Sequence, residues 1–393
     1  MPRFNYRGRS SDGRLLSGEL EAASEDEVLQ KLRAGGVMVT AIEPAAVKDV
    51  KIKRRELVVF TRQFATMIDA GLPLIQTLAT LAEQSPDDLA EIIADVRRQV
   101  EAGQPLSNAL EGFPRTFDRL YISLVRAGEL SGNLEGVLEQ LAGYMERADS
   151  LRRKVSGALA YPTVVLGMVV LLALGFLLFI IPLFEGIFTG FGAQLPLPTR
   201  VVVAISEFLR DYFYIPLILI AGIWLFFRFY GETAEGRLKL DSIKLRLPLF
   251  GKLFVKVAVA RFSRTLGILV RSGVPIMDGL AITAATAGNR LLEQAVRKTR
   301  RAVGEGQPIA EPLKETAVFP AMVVAMIAVG ERTGRLEEML GKIADFYDDE
   351  VEVAVTGLAS LLEPILMIFM GLVVGGLVIS MYLPIFQMPS LIG

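Results

Sequence analysis

The chain contains no cysteine and no histidine. Without cysteine there is no disulfide framework, thiolate metal site, iron–sulfur cluster or thiol nucleophile. Without histidine, Ser–His–Asp triads, HExxH metal sites and imidazole acid–base catalysis are closed as well. Net charge is nearly absent: 42 Lys and Arg against 43 Asp and Glu leave −1. That balance removes the electrostatic case for nucleic-acid binding. No G-x-x-x-x-G-K-[ST] run occurs, so the chain carries no phosphate loop and does not read as a motor itself. No cofactor or metal is expected, and no enzyme activity.

Apolar residues, by contrast, are abundant. They make up 52% of the 393 residues, and the mean hydropathy is +0.45, too high for an ordinary soluble domain. Two stretches without Asp, Glu, Lys or Arg run from Val155 to Phe184 and from Pro364 to Gly393. Each exceeds the roughly 20 residues that a membrane span needs. A shorter run, Tyr212–Phe227, lies between Asp211 and Arg228. Tyr212, Tyr214, Trp224 and Tyr230 give it interfacial aromatics, and Arg228 can snorkel. A buried core helix is the alternative for this segment. Arg147, Arg152, Arg153 and Lys154 precede the first span, only Arg200 and Arg210 separate it from the second, and six basic residues from Arg228 to Lys252 follow. Positive-inside bias then places the N-terminal region and residues 231–363 in the cytoplasm and 185–211 outside. Residues 1–30 lack an apolar core of signal-peptide type, so no cleaved leader is expected.

The chain repeats itself at an offset of 202: Phe60, Arg62, Gly71, Pro73 and Leu78 meet Phe262, Arg264, Gly273, Pro275 and Leu280. VEAGQPLSNAL from Val100 matches VGEGQPIAEPL from Val303 with a one-residue slip, and Phe113-Pro114 meets Phe319-Pro320. AGELSGNLEGVL from Ala127 matches VGERTGRLEEML from Val329, and Pro162 and Pro182 meet Pro364 and Pro384, all at 202. A period this long indicates duplicated domains rather than a solenoid. Each unit is a helical region followed by one span, and the unrepeated middle span brings the second unit back to the side of the first. Phe60, Phe64, Met67 and Ile68 form an apolar helical stripe that Phe262, Leu266, Leu269 and Val270 reproduce. About six short helices per unit, punctuated by Gly/Pro turns, make a small bundle. Residues 1–45 read instead as hairpin, helix and strand, a small α+β appendage.

The expected organisation is therefore an all-α integral membrane protein with three spans, two homologous cytoplasmic bundles and that appendage. The α+β region and linker take 1–50, the first bundle 51–162 and the first span 163–184. An outside loop (185–211), the second span (212–230), the second bundle (231–363) and the third span (364–386) follow. The run Val47–Glu56 reads as a solvated linker, or as a basic patch for an anionic surface. Gly371 and Gly375 in the third span are spaced as a helix-packing face. The acidic pairs Asp87-Asp88 and Glu337-Glu338 and the triplet Asp348-Asp349-Glu350 lack calcium-loop spacing and read as solvated helix faces.

The most distinctive local pattern is G-E-x-[ST]-G-x-L, carried by Gly128, Glu129 and Gly132 and again by Gly330, Glu331 and Gly334. Glycine ends one helix, and Ser131 or Thr333 caps the next. Glu129 and Glu331 complete the turn by bonding free backbone N–H groups, so glutamine should cost about 1 kcal/mol or less. Contact with a partner is the sharper reading of the two glutamates. Glu363 stands just before Pro364 at the third span, where the first unit has Tyr161 before Pro162. There it either snorkels to water or, if buried, lines an ion path.

Taken together, these residues resemble the polytopic inner-membrane platform proteins of bacterial type II secretion systems and type IV pili. The carriers are the duplicated F-[TS]-R…G-[LV]-P, G-Q-P-[LI], F-P and G-E-x-[ST]-G-x-L, Ala160-Tyr161-Pro162, Leu362-Glu363-Pro364 and Leu383-Pro384-Ile385-Phe386. Phe4, Tyr6, Gly13, Gly18, Leu20 and Ala22 match the family's start. The resemblance implies a non-enzymatic, oligomeric platform in the bacterial inner membrane; the basic-residue bias puts its N-terminus in the cytoplasm and its C-terminus in the periplasm. The resemblance also implies contacts with a cytoplasmic secretion ATPase, pilin or pseudopilin subunits and other machine components. A secondary transporter built from a duplicated unit is the alternative, suggested by the repeat and Glu363.

Overall fold

A computed structural model describes residues 3–10, 15–21, 25–34, 37–44, 49–190, 196–247, 250–316 and 318–387. The Ser11-Asp12-Gly13 turn, Ala22 and Val47-Lys48 lie outside these. Contacts divide the chain into two compact units, Met1–Asp149 with Ser272–Val274, and Ser150–Arg271 with Pro275–Gly393.

The first unit begins with β1 (Arg3–Ser10), β2 (Leu15–Glu21), α1 (Glu25–Ala34) and β3 (Val37–Pro44). The strands form an antiparallel sheet in the order β2-β1-β3. Val28 and Leu32 of α1 are buried against Tyr6, Val37 and Val39, which makes this appendage a small core of its own.

Six helices follow: α2 (Arg54–Asp69), α3 (Leu74–Gln84), α4 (Asp87–Glu101), α5 (Leu106–Glu111), α6 (Arg119–Ser131) and α7 (Leu134–Gly175). Phe60 and Phe64 of the expected stripe are buried, and the Phe60 ring packs 6.3 Å from that of Phe117. The segment ahead of α2 is not a freely solvated linker. Asp49 accepts from the Arg115 N–H, Thr116 donates to the Val50 carbonyl at 2.8 Å, and Ile52 is buried.

In the second unit the helix of the first span continues through a π turn (Phe176–Ile180) into α8 (Ile181–Gly190). Next come α9 (Leu197–Asp211), α10 (Tyr214–Glu232) and α11 (Ala234–Arg246). The second bundle comprises α12 (Phe250–Arg271), α13 (Ile276–Thr286), α14 (Arg290–Gly304), α15 (Ala310–Glu315), α16 (Ala321–Thr333) and α17 (Leu336–Gln387). Phe262, Leu266, Leu280, Val296, Ile327 and Leu340 form its centre, and the rings of Phe262 and Phe319 pack at 4.7 Å. α11 docks onto the bundle through buried Asp241, which accepts from the Arg290 N–H at the start of α14 (3.0 Å).

Among the described residues, three helical stretches are long and apolar enough to cross a membrane: Leu134–Gly186, Tyr214–Glu232 and Leu336–Pro384. No residue of α10 is buried, so the short middle segment is not a core helix, and Arg228 lies over the Trp224 ring at 5.2 Å. Pro162 and Pro364 do not break the chain ahead of their spans; they sit inside α7 and α17. The boundaries expected at 162 and 363 therefore fall within continuous helices. Proline removes one i→i−4 bond and crowds the preceding turn, which bends a long helix without ending it where the turns on both sides hold.

Candidate functional site

The G-E-x-[ST]-G pattern resolves into three separate physical tasks. Its second glycine closes the helix. Gly132 (φ 68°) after α6 and Gly334 (φ 71°) after α16 adopt the left-handed conformation that a side chain would strain. Its first glycine lets the next helix cross closely. A Cβ on Gly128 would stand 3.1 Å from Leu134 Cα and 3.2 Å from Val137 Cβ; on Gly330 it would stand 2.9 Å from Leu336 Cα.

The glutamate does not serve its own turn. Glu129 accepts from the Leu106 N–H at 2.5 Å and the Ser107 N–H at 3.0 Å. Glu331 accepts from Ile309 N–H at 2.5 Å and Ala310 N–H at 3.0 Å. These donors begin α5 and α15, the short helices after the two G-Q-P turns. Neither helix has a side-chain cap of its own: Pro105 and Ile309 occupy the capping positions. A carboxylate from another helix therefore satisfies the free N–H groups and complements the positive helix end. In each unit the two motifs form one clamp.

Ser131 and Thr333 depart from the expected capping role. Each hydroxyl bonds back to its own helix, at the Ala127 and Val329 carbonyls (both 2.8 Å). Asn133 caps α7 instead, accepting from the Gly136 N–H at 3.1 Å. In the second unit Arg335 N–H closes on the Gly330 carbonyl at 2.9 Å.

A second duplicated contact involves the arginine of F-[TS]-R. Arg62 donates to both oxygens of Glu146 (2.6 and 2.7 Å) and to Glu139 (2.5 Å). Arg264 donates to Asp348 (2.6 Å) and Asp345 (2.8 Å). Glu146 and Asp348 are themselves 202 residues apart. The Arg62 hydrogen bonds hold the Glu146 carboxyl below its ordinary range, and those from Glu146 and Glu139 raise Arg62 further. This ties the first helix of each bundle to the last. Two of the three acidic runs are likewise engaged by cations, Glu338 by Lys342 and Glu350 by Lys256.

The remaining sequence candidates lie elsewhere. Glu363 and Pro364 are exposed on α17, about 40 Å along the helix from its start beside Glu331. Pro162 lies within α7. A methyl group on Gly371 or Gly375 would meet nothing within 4 Å, so that small-residue face is unfilled within this chain. Sequence reasoning joined neither the glutamates to the G-Q-P turns nor Arg62 to Glu146. The signal was the co-duplication of both members of each pair.

Surfaces beside the two clamps differ although the clamps match. Leu130, next to Glu129, is 85% exposed, and its counterpart is the exposed Arg332. An Arg126–Glu111 ion pair flanks the first clamp, where the second unit has Ala328 and Lys314. With no nucleophile, acid–base pair or phosphate cradle in it, the clamp fixes backbone and presents surface.

Comparison with known proteins matches this arrangement. The family model for type II secretion system protein F matches twice, at residues 60–182 and 262–384. That for the N-terminal domain of the same protein matches residues 1–43. The chain is 42% identical over 398 residues to the type IV pilus assembly protein PilC of Myxococcus xanthus, covering 99% of this chain and 95% of that protein. It is 42% identical over 400 residues to PilC of Thermus thermophilus, covering 98% of each. It is 35% identical over 406 residues to the type II secretion system protein F of Pseudomonas aeruginosa, covering all of both. With both halves of the duplication and the N-terminal region matched, the chain belongs to the type II secretion system protein F family, a family of multi-pass inner-membrane proteins of secretion and pilus machines.

Proposed function

We propose that this chain is the inner-membrane platform of a type II secretion or type IV pilus machine, coupling a cytoplasmic assembly ATPase to polymerisation of pilin or pseudopilin subunits. In this reading it is not an enzyme and binds no cofactor. It works as a homo-oligomer with other inner-membrane components, its N-terminus and both bundles cytoplasmic and its C-terminus periplasmic. The observation that carries the reading is α17. Its 52 residues form one helix about 78 Å long. Leu340, Ile343, Ala344 and Tyr347 near its start are buried in the second bundle, while its last part is a membrane span. A push on that bundle therefore reaches the bilayer without crossing a loop. The unlike surfaces at Leu130 and Arg332 suit a platform whose two units meet different neighbours.

The test is co-purification of the full-length protein with the assembly ATPase of the same cell, alongside pilin assembly. Leu130→Arg should leave abundance normal and reduce either ATPase recovery or pilin assembly. Wild-type values for both, in this variant and in Arg332→Glu, would refute the role given to these surfaces. Reporter fusions test the topology: a cytoplasmic signal from a fusion at residue 194 would overturn it.

A further inference from the structure

The stretch between the first two spans was expected to be an outside loop, yet Leu197–Asp211 is a helix with three distinct faces. Thr199, Val203 and Ser206 are buried. At about 100° per residue they share one arc. The Ser206 hydroxyl donates to the Leu177 carbonyl inside the π turn, where the widened backbone leaves a carbonyl accessible. Thr199 donates to the Ser380 carbonyl in the third span at 2.6 Å. α9 is thus pinned to two spans at once by side-chain-to-backbone hydrogen bonds.

A second arc holds Leu197, Val201, Ile205 and Phe208, all exposed. Between these two arcs runs a strip with the exposed charges Arg200, Glu207 and Asp211. A loop helix in water has no use for a continuous apolar arc on its free side.

Depth follows from the tether points. Counted from exposed Glu363 at the start of the third span, Ser380 lies 17 residues on, about 25 Å along the helix. Leu177 lies 16 residues beyond Tyr161, the counterpart of Glu363, or about 24 Å. With the near boundary of the hydrocarbon layer set at Glu363 and Tyr161 and the layer about 30 Å thick, both carbonyls come about 5 Å inside its far boundary. That is the depth at which an amphipathic helix buries its apolar side.

We propose that α9 is an interfacial helix embedded in the leaflet remote from the second bundle, with lipid acyl chains covering Leu197, Val201, Ile205 and Phe208. The charged strip faces water, and the Thr199 and Ser206 hydrogen bonds fix the helix to the third and first spans. Beside the two tether points the spans themselves expose apolar side chains, Phe179 near Leu177 and Ile379 next to Ser380. The surroundings of α9 at this depth are therefore lipid, which is why lipid rather than a soluble partner is the occupant of the arc.

The absence of cysteine makes a direct test practical. Full-length protein carrying Val201→Cys, Ile205→Cys or Phe208→Cys, each with an environment-sensitive fluorophore, is reconstituted in phosphatidylethanolamine/phosphatidylglycerol vesicles with and without brominated acyl chains. Leu219→Cys, exposed in the second span, is the lipid reference and Glu207→Cys the water reference. The three arc positions should be quenched by bromine to at least about half the extent at residue 219, and a water-soluble maleimide should label them about tenfold more slowly than residue 207. Labelling as fast as at residue 207 would mean that the arc faces water and would overturn the proposal. Slow labelling without bromine quenching would mean that protein covers the arc, and would overturn the lipid assignment equally.

Discussion

Replacing Glu129 by glutamine separates a structural clamp from a charged partner contact. The carboxylate holds two backbone N–H groups, one on each oxygen, at 2.5 and 3.0 Å. Glutamine keeps one acceptor and turns an NH2 group toward the other N–H. One charge-assisted hydrogen bond is lost, the second becomes neutral, and the favourable charge at the helix end disappears. A hydrogen bond to a charged group contributes about 1.5–3 kcal/mol, which water access to half-buried Glu129 reduces. The expected local cost is therefore about 2 kcal/mol for Glu129→Gln and about 3 kcal/mol for Glu129→Ala. This exceeds the 1 kcal/mol or so of a side chain merely completing its own turn. The direct assay is amide hydrogen exchange of residues 104–112 in the full-length protein. Opening of α5 should become about 30-fold more frequent in Glu129→Gln. Glu331→Gln should act alike on residues 307–316, because the two clamps have the same distances. Unchanged exchange with loss of the ATPase would refute the clamp and give the glutamate to a partner. Strongly unequal exchange effects at the two sites would refute the geometric argument as well.

Gly128→Ala and Gly330→Ala each force a Cβ against the following helix, and melting of the full-length protein should show losses of about 1–3 kcal/mol, larger at Gly330 where the approach is 2.9 Å. Gly132→Ala should cost about 1 kcal/mol through left-handed strain, with Gly132→Asn milder, in the same melts. Because Arg62 depresses Glu146 below its ordinary 4.5, that pair's stabilisation is complete above pH 4.5 and is lost as pH falls through the lowered folded value. Melts between about pH 3 and 6 should therefore be flatter in Glu146→Gln than in wild type, and an identical acid limb would refute the pairing. The isolated segment 51–155 should give a helical circular-dichroism spectrum with a cooperative melt, since its apolar stripes close on one another; a disordered spectrum would refute independent folding.

What the sequence made legible was periodic or punctuated. Phe60 and Phe64, with Phe262 and Leu266, announced their helices by spacing alone. Gly132 and Gly334 announced helix ends because few other residues take that conformation. α10 was readable despite its length because the first span alone, as the one crossing between the duplicated units, would have left them on opposite sides. Continuity through Pro162 and Pro364 was not readable, since the same residue ends one helix and merely bends another, and the turns that decide between the two lie on both sides of it. Nor was α9, whose Thr199 and Ser206 resemble any solvated hydroxyls until the carbonyls of Ser380 and Leu177 are placed beside them.

The clamps show most clearly where local reading stops. Leu106 and Glu129 are 23 residues apart, whereas Ile309 and Glu331 are 22 apart. A spacing motif would be broken by that slip, but the contact is kept in both copies with the same two distances. The duplicated object is thus a junction between two helix ends, not a run of sequence, and the extra residue is absorbed between them. Arg62–Glu146 and Arg264–Asp348 behave the same way, with the acid changing length and the ion pair persisting. Contacts that survive such changes are the ones that hold the shape of each bundle. Positions free to diverge, such as Leu130 against Arg332, are where one scaffold acquires two different surfaces.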